Sequence, residues 1–188
     1  MPKRILDVRT DTVTKLCRRR WCTPVMAILH RERGAKFVTL CHALDAQQKP
    51  IRESLDWLID AGWVIPNPGY GHPLRPEYVL TPEGEALGPG CARIWNTLQK
   101  ADAADIGLRR WTLPVLATVS TLSPARFGGV ADRLTPITNR ALSLALGDLS
   151  GAGWVARRVD DAWPPTTRYE ATSRGSGIVK ALAALRPA

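Results

Sequence analysis

Histidine, cysteine and carboxylate side chains do most bond-making chemistry in proteins, and in this chain they are scattered. His30, His42 and His72 have no serine or cysteine partner at a recognisable spacing, and no glycine-rich phosphate loop follows a strand. "GPG" at 88–90 and "NPGYG" at 67–71 are turn chemistry. Cys17, Cys22, Cys41 and Cys91 all lie in the first half, and no two make a C-x-x-C pair. Their spacing fits neither a zinc site nor a disulfide framework. His42 is the histidine nearest a thiol, but adjacent helix residues point to different sides. These residues predict free thiols, buried or half-buried, with no metal, no cofactor and no enzyme.

Charge is the stronger signal. The 188 residues carry a net charge of +9 and a pI of about 9.9, the excess being shared almost equally between residues 1–100 and 101–188. Such a surface attracts polyanions from two basic faces rather than through a tail. No stretch approaches the ~18 uninterrupted apolar residues of a membrane span, and the N-terminus has no apolar export core. The expectation is a cytoplasmic protein that does not enter membranes.

The elements that must position this charge are written twice. "RRWCTPVMAIL" at 19–29 returns as "RRWTLPVLATV" at 109–119, with Arg, Arg, Trp, Pro, Val and Ala at matching places. At the same offset Phe37 matches Phe127, Leu40 matches Val130 and Leu44 matches Leu134. After one inserted residue near Pro136, Ile51, Leu55 and Leu58 match Leu142, Leu146 and Leu149, and "AGWV" at 61–64 matches "AGWV" at 152–155. Tyr78, Thr81 and Gly84 then match Tyr169, Thr172 and Gly175. Apolar positions are kept more than surface ones, as in two copies of one fold.

Each copy reads as three helices, a hairpin and a last helix. Val25, Ile28 and Leu29 give the face of a first helix ended by "RERGAK". A second runs from about Lys36 to Leu44, and its counterpart starts with Ser123 as N-cap and Pro124 as first residue. The third opens near Lys49 and Pro50 and runs to Ala61, with Gly62 as its stop. Trp63 to Ile65 and Tyr78 to Leu80 make a hairpin with a long Pro- and Gly-rich tip. Helices from Pro82 to about Lys100, weakened by "GPG", and from about Arg174 to Leu185 close the copies. The order is that of a helix-turn-helix with a wing, an arrangement that serves DNA binding and plain protein binding alike. The fold class is α+β, mainly α, with domains at 1–100 and 108–188 and a linker at 101–107.

Trp21, Phe37, "IRESLDWLIDAGWV" and "PEYVLTPEG" in copy one resemble the HxlR-type winged-helix transcription regulators, as do Trp111, Phe127 and "ITNRALSLALGDLSGAGWV" in copy two. Such regulators pair as two-fold dimers, so the resemblance implies a single-chain pseudo-dimer that binds double-stranded DNA at the nucleoid. Its recognition helices, at about 48–61 and 138–151, would lie about 34 Å apart in successive major grooves. The resemblance assigns base or phosphate contact to Gln47, Gln48, Lys49, Arg52 and Glu53, and gives His72 and Arg75 to the wing. Copy two offers Thr138, Asn139, Arg140 and Ser143, with Leu144, Ala145 and Gly147 where the family favours polar residues. Arg157, Arg158 and Arg168 would supply backbone affinity there, so that copy one specifies and copy two anchors. The alternative is a protein-interaction module in which the Leu144 patch meets a partner such as RNA polymerase, another regulator or another copy of the chain. Some members resemble thiol-stress sensors, and Cys17, flanked by Arg18, Arg19 and Arg20, stands nearest the sensing position.

Overall fold

The computed structural model describes residues 10–67, 76–160, 163 and 165–185. The first half runs α1 (Thr10–Leu16), α2 (Cys22–Glu32), β1 (Ala35–Lys36), α3 (Phe37–Ala43), α4 (Gln48–Asp60), β2 (Val64–Pro66), β3 (Glu77–Leu80) and α5 (Pro82–Lys100). The second runs α6 (Ala104–Gly107), α7 (Thr112–Thr121), β4 (Ala125–Arg126), α8 (Phe127–Arg133), α9 (Asn139–Gly151), β5 (Val155–Asp160), β6 (Thr166–Ala171) and α10 (Ser173–Leu182). Each half holds an antiparallel three-stranded sheet, of order β1-β3-β2 and β4-β6-β5.

The repeated lines become the central helices. Residues 22–29 of α2 and 112–119 of α7 are buried without interruption, so each forms the centre of its half. Ile51, Leu55 and Leu58 of α4 and Leu142, Leu146 and Leu149 of α9 turn one face inward and leave the other to solvent. The repeated Thr and Gly form a clamp where each wing ends. Thr81 Oγ1 donates to the Gly62 carbonyl at 2.7 Å and accepts from the Gly84 amide at 3.1 Å. Thr172 does the same with Gly153 at 2.6 Å and Gly175 at 3.2 Å. A Cβ on Gly84 would lie 2.1 Å from the Trp63 carbonyl oxygen, and one on Gly175 2.4 Å from that of Trp154, so only glycine fits.

Three expectations need correction. The second copy's second helix does not begin at Ser123 and Pro124: residues 125–126 pair with β6, and α8 starts at Phe127 with Arg126 at its N-cap. The short strands β1 and β4, two residues each, have too little pattern to read. The 101–107 segment is not a plain linker, since Ala104–Gly107 form a helical turn whose Asp105 meets Arg20 at 2.6 Å. "GPG" is not turn chemistry here: α5 covers Pro82–Lys100, the range expected of it, and is continuous through Pro89. Its glycines serve close packing instead: a Cβ on Gly88 would sit 2.6 Å from the His30 ring, and one on Gly90 2.7 Å from Leu185. Thus α5 packs along α2 in its own half and against α10 in the other, while α1 crosses to α7.

Candidate nucleic-acid interface

Gln47, Gln48 and Lys49 are exposed at the start of α4, where Gln47 takes the N-cap position without a side-chain capping bond. Their amides and ammonium are therefore open to solvent at the end of the helix that follows the α3–α4 turn. Arg52 is exposed too, but its guanidinium is turned inward over the Phe37 ring, 3.9 Å from the centroid, and donates to the Tyr78 hydroxyl at 2.9 Å. Glu53 faces sideways to Arg19, 3.1 Å away. The structure thus brings Gln47, Gln48 and Lys49 together and fastens Arg52 and Glu53 to neighbouring elements. Asp56, exposed one turn beyond Arg52, adds a carboxylate to the same helix that sequence reasoning passed over.

In the second half Thr138 caps α9, its hydroxyl accepting from the Ala141 amide at 3.2 Å. Asn139, Arg140 and Ser143 are exposed around the first turns, and Leu144 is 62% exposed beside them. This face has fewer hydrogen-bonding groups than its counterpart, as its sequence implied.

The wings differ more. His72 and Arg75 lie outside the described residues. Arg157 and Arg158 are exposed on β5, whereas Arg168 is half-buried on β6 and paired with Asp160. Register supplies what spacing could not. Arg126 of β4 stands opposite Arg168, and Arg168 stands opposite Arg158, so three arginines form one row across the sheet on the face away from buried Ala125, Tyr169 and Val155. Asp160 and Glu170 flank the row one pleat along, and among the described residues neither Arg126 nor Arg158 has a carboxylate partner. The matching row of the first half is Lys36, Glu77 and Asn67, and there Asn67 donates to the Glu77 carboxylate at 2.6 Å. Like charges placed opposite one another weaken a sheet unless something anionic meets them. Arg126 was missed because only strand pairing relates it to residues more than thirty positions away.

The thiols correct another expectation. Cys17 is buried, and burial pushes its pKa far up, with the neighbouring Cys22 adding to the rise; the flanking arginines do not lower it. Burial likewise raises Cys22 to about 12 and Cys91 further. A buried, protonated thiol is inert, so Cys17 lacks the reactive character its arginine neighbours suggested. No group of three His, Cys, Asp or Glu side chains among the described residues could hold a metal ion. No helix among them is long and apolar enough to cross a membrane.

The stretch from α6 through α10 decides the comparison with known proteins. Residues 106–187 match the family of HxlR-like helix-turn-helix domains. The HxlR-like match supports a DNA-binding transcription regulator rather than an enzyme. It falls on the half whose recognition segment has the apolar Leu144, Ala145 and Gly147 in place of polar residues. Neither the curated proteins nor the solved structures contain a match to the chain.

Proposed function

We propose that this chain is a sequence-specific regulator of transcription that acts as a single-chain pseudo-dimer. Its two winged helix-turn-helix units, at 1–100 and 108–188, would read double-stranded DNA through α4 and α9 with the wings on the flanking backbone. The observation that carries the reading is the HxlR-like match over α6–α10, whose element order and strand order recur in the first half. In this reading Gln47, Gln48 and Lys49 meet base edges, since glutamine suits adenine and lysine suits guanine in the major groove. Asn139, Arg140 and Ser143 do so more sparingly. Arg126, Arg158 and Arg168 hold phosphates, which position a protein without reading sequence, while Arg157, opposite Tyr169, projects from the other face of the sheet. Copy one then specifies and copy two anchors.

Selection from a randomised duplex library, with sequencing of the bound fraction, tests this. The expected result is a motif of two related half-sites about 10 base pairs apart, with more information in one than in the other. Absence of any enriched motif would refute sequence-specific reading.

A further inference from the structure

The two halves also part in chemistry at the start of α7. In the first half the matching region is closed: Arg19 meets Glu53 at 3.1 Å, Cys22 Sγ contacts the Ser54 carbonyl at 3.8 Å, and Trp57 Nε1 donates to the Lys15 carbonyl at 3.0 Å. In the second half the repeat puts Leu144 where Glu53 stands, Ala145 for Ser54, Ala141 for Pro50 and Asp148 for Trp57. Losing the tryptophan, this region holds a slot of about 280 Å³ between α7 and α9. Ala141, Leu144 and Ala145 of α9 line one side of it, and Arg110, Trp111 and Thr112 at the start of α7 line the other.

Three features of the slot are unused by the fold. Leu144 is 62% exposed, although the first half places a glutamate at the matching position. Arg110 lies over the Trp111 ring, 5.0 Å from its centroid, and has no carboxylate partner among the described residues, whereas its counterpart Arg20 pairs with Asp105. The Thr112 hydroxyl is buried without a hydrogen-bond partner, and buried polar groups are usually satisfied. Arg109, by contrast, is neutralised by Asp148 at 2.7 Å.

We propose that this slot docks a peptide segment of a partner protein, one that places an apolar side chain on Leu144 and a neighbouring carboxylate on Arg110. The apolar side of the slot selects against a phosphodiester, which has nothing to lay on two alanines and a leucine. The net charge of +9 selects against a second copy of this chain and for an acidic partner. Ser143 and Gly147 occupy the positions of Arg52 and Asp56 on the outward face of α9, while Leu144 turns toward α7. Docking therefore does not depend on DNA reading, and a duplex on that face leaves the slot open.

The test is selection of a random 12-residue peptide display library on the full chain. Affinities of the winning synthetic peptides are then measured on wild type, Leu144→Glu and Arg110→Gln. Both substitutions are at exposed positions, and circular dichroism checks that each variant folds. Winners with an apolar residue flanked by Asp or Glu are expected, each weakened roughly tenfold or more by either substitution, as for a contact at the centre of an interface. No enriched class, or winners indifferent to both substitutions, would overturn the proposal. Displacement of the peptide by stoichiometric duplex DNA would overturn it as well, by placing the slot within the DNA surface.

Discussion

At the residue scale, Arg52 and Lys49 lie within one helix turn, the first held by neighbouring elements and the second open to solvent. Arg52 is held by a ring and a hydroxyl, so Arg52→Ala should lower folding stability by about 1 kcal/mol, a value typical of removing one hydrogen bond and one cation–π pair, as read by urea denaturation. Lys49→Ala should leave stability unchanged and weaken duplex binding. The sequence showed that both were polar and near the start of a helix. It could not show that Arg52 lies against Phe37 and Tyr78, because that contact joins three elements. The buried thiols make a third expectation. Cys22 rises from an ordinary 9.0 to about 12 on folding, so the unfolded chain loses the proton first. Stability from the protonated thiol is complete below about pH 9 and is lost as pH rises toward 12, with Cys17 and Cys91 adding in the same sense. Denaturant midpoints should therefore fall above about pH 9, and a thiol reagent at about pH 8 should leave Cys17, Cys22 and Cys91 unmodified until the chain is unfolded.

At the scale of elements, the repeat made the helices legible and hid the strands. Positions such as Val25, Leu55 and Leu146 recur at helical spacing and are buried as the pattern required. β1 and β4, two residues each, have no period to detect and exist only because β3 and β6 pair with them. "GPG" misled because propensity opposes a helix there, while packing decides: α5 gains closeness to His30 and Leu185 from the glycines that cost it propensity. Capping chemistry and pattern agree at Thr138, whose hydroxyl accepts from the Ala141 amide at the start of α9. Thr138→Ala should cost about 1 kcal/mol, the usual value for removing an N-cap. Gly175→Ala should cost more than about 2 kcal/mol, because its Cβ would meet a backbone oxygen that cannot move aside alone. Thermal or urea melts of the two variants would rank them.

At the scale of the molecule, charge was legible and its arrangement was not. A net +9 announces a polyanion partner, yet only strand register gathers Arg126, Arg168 and Arg158 into a row and gives the first half a Lys–Glu–Asn row instead. If the row meets phosphates, replacing Arg126 and Arg158 with glutamine should flatten the salt dependence of duplex binding by about 0.9 in log–log slope for each phosphate no longer neutralised, with the preferred motif unchanged. Fluorescence anisotropy over a salt series measures this. The packing of α5 carries a different consequence. If the chain is the single-chain pseudo-dimer proposed above, it differs from a dimer of separate chains, which dissociates on dilution and can slip at its seam: its two halves share one backbone, and Gly90 closes on Leu185. Occupancy of an operator should then rise in simple proportion to chain concentration, with no assembly threshold. Moving one half-site by about 5 base pairs, half a helical turn, turns it to the far side of the duplex, out of reach of a calliper locked at one opening.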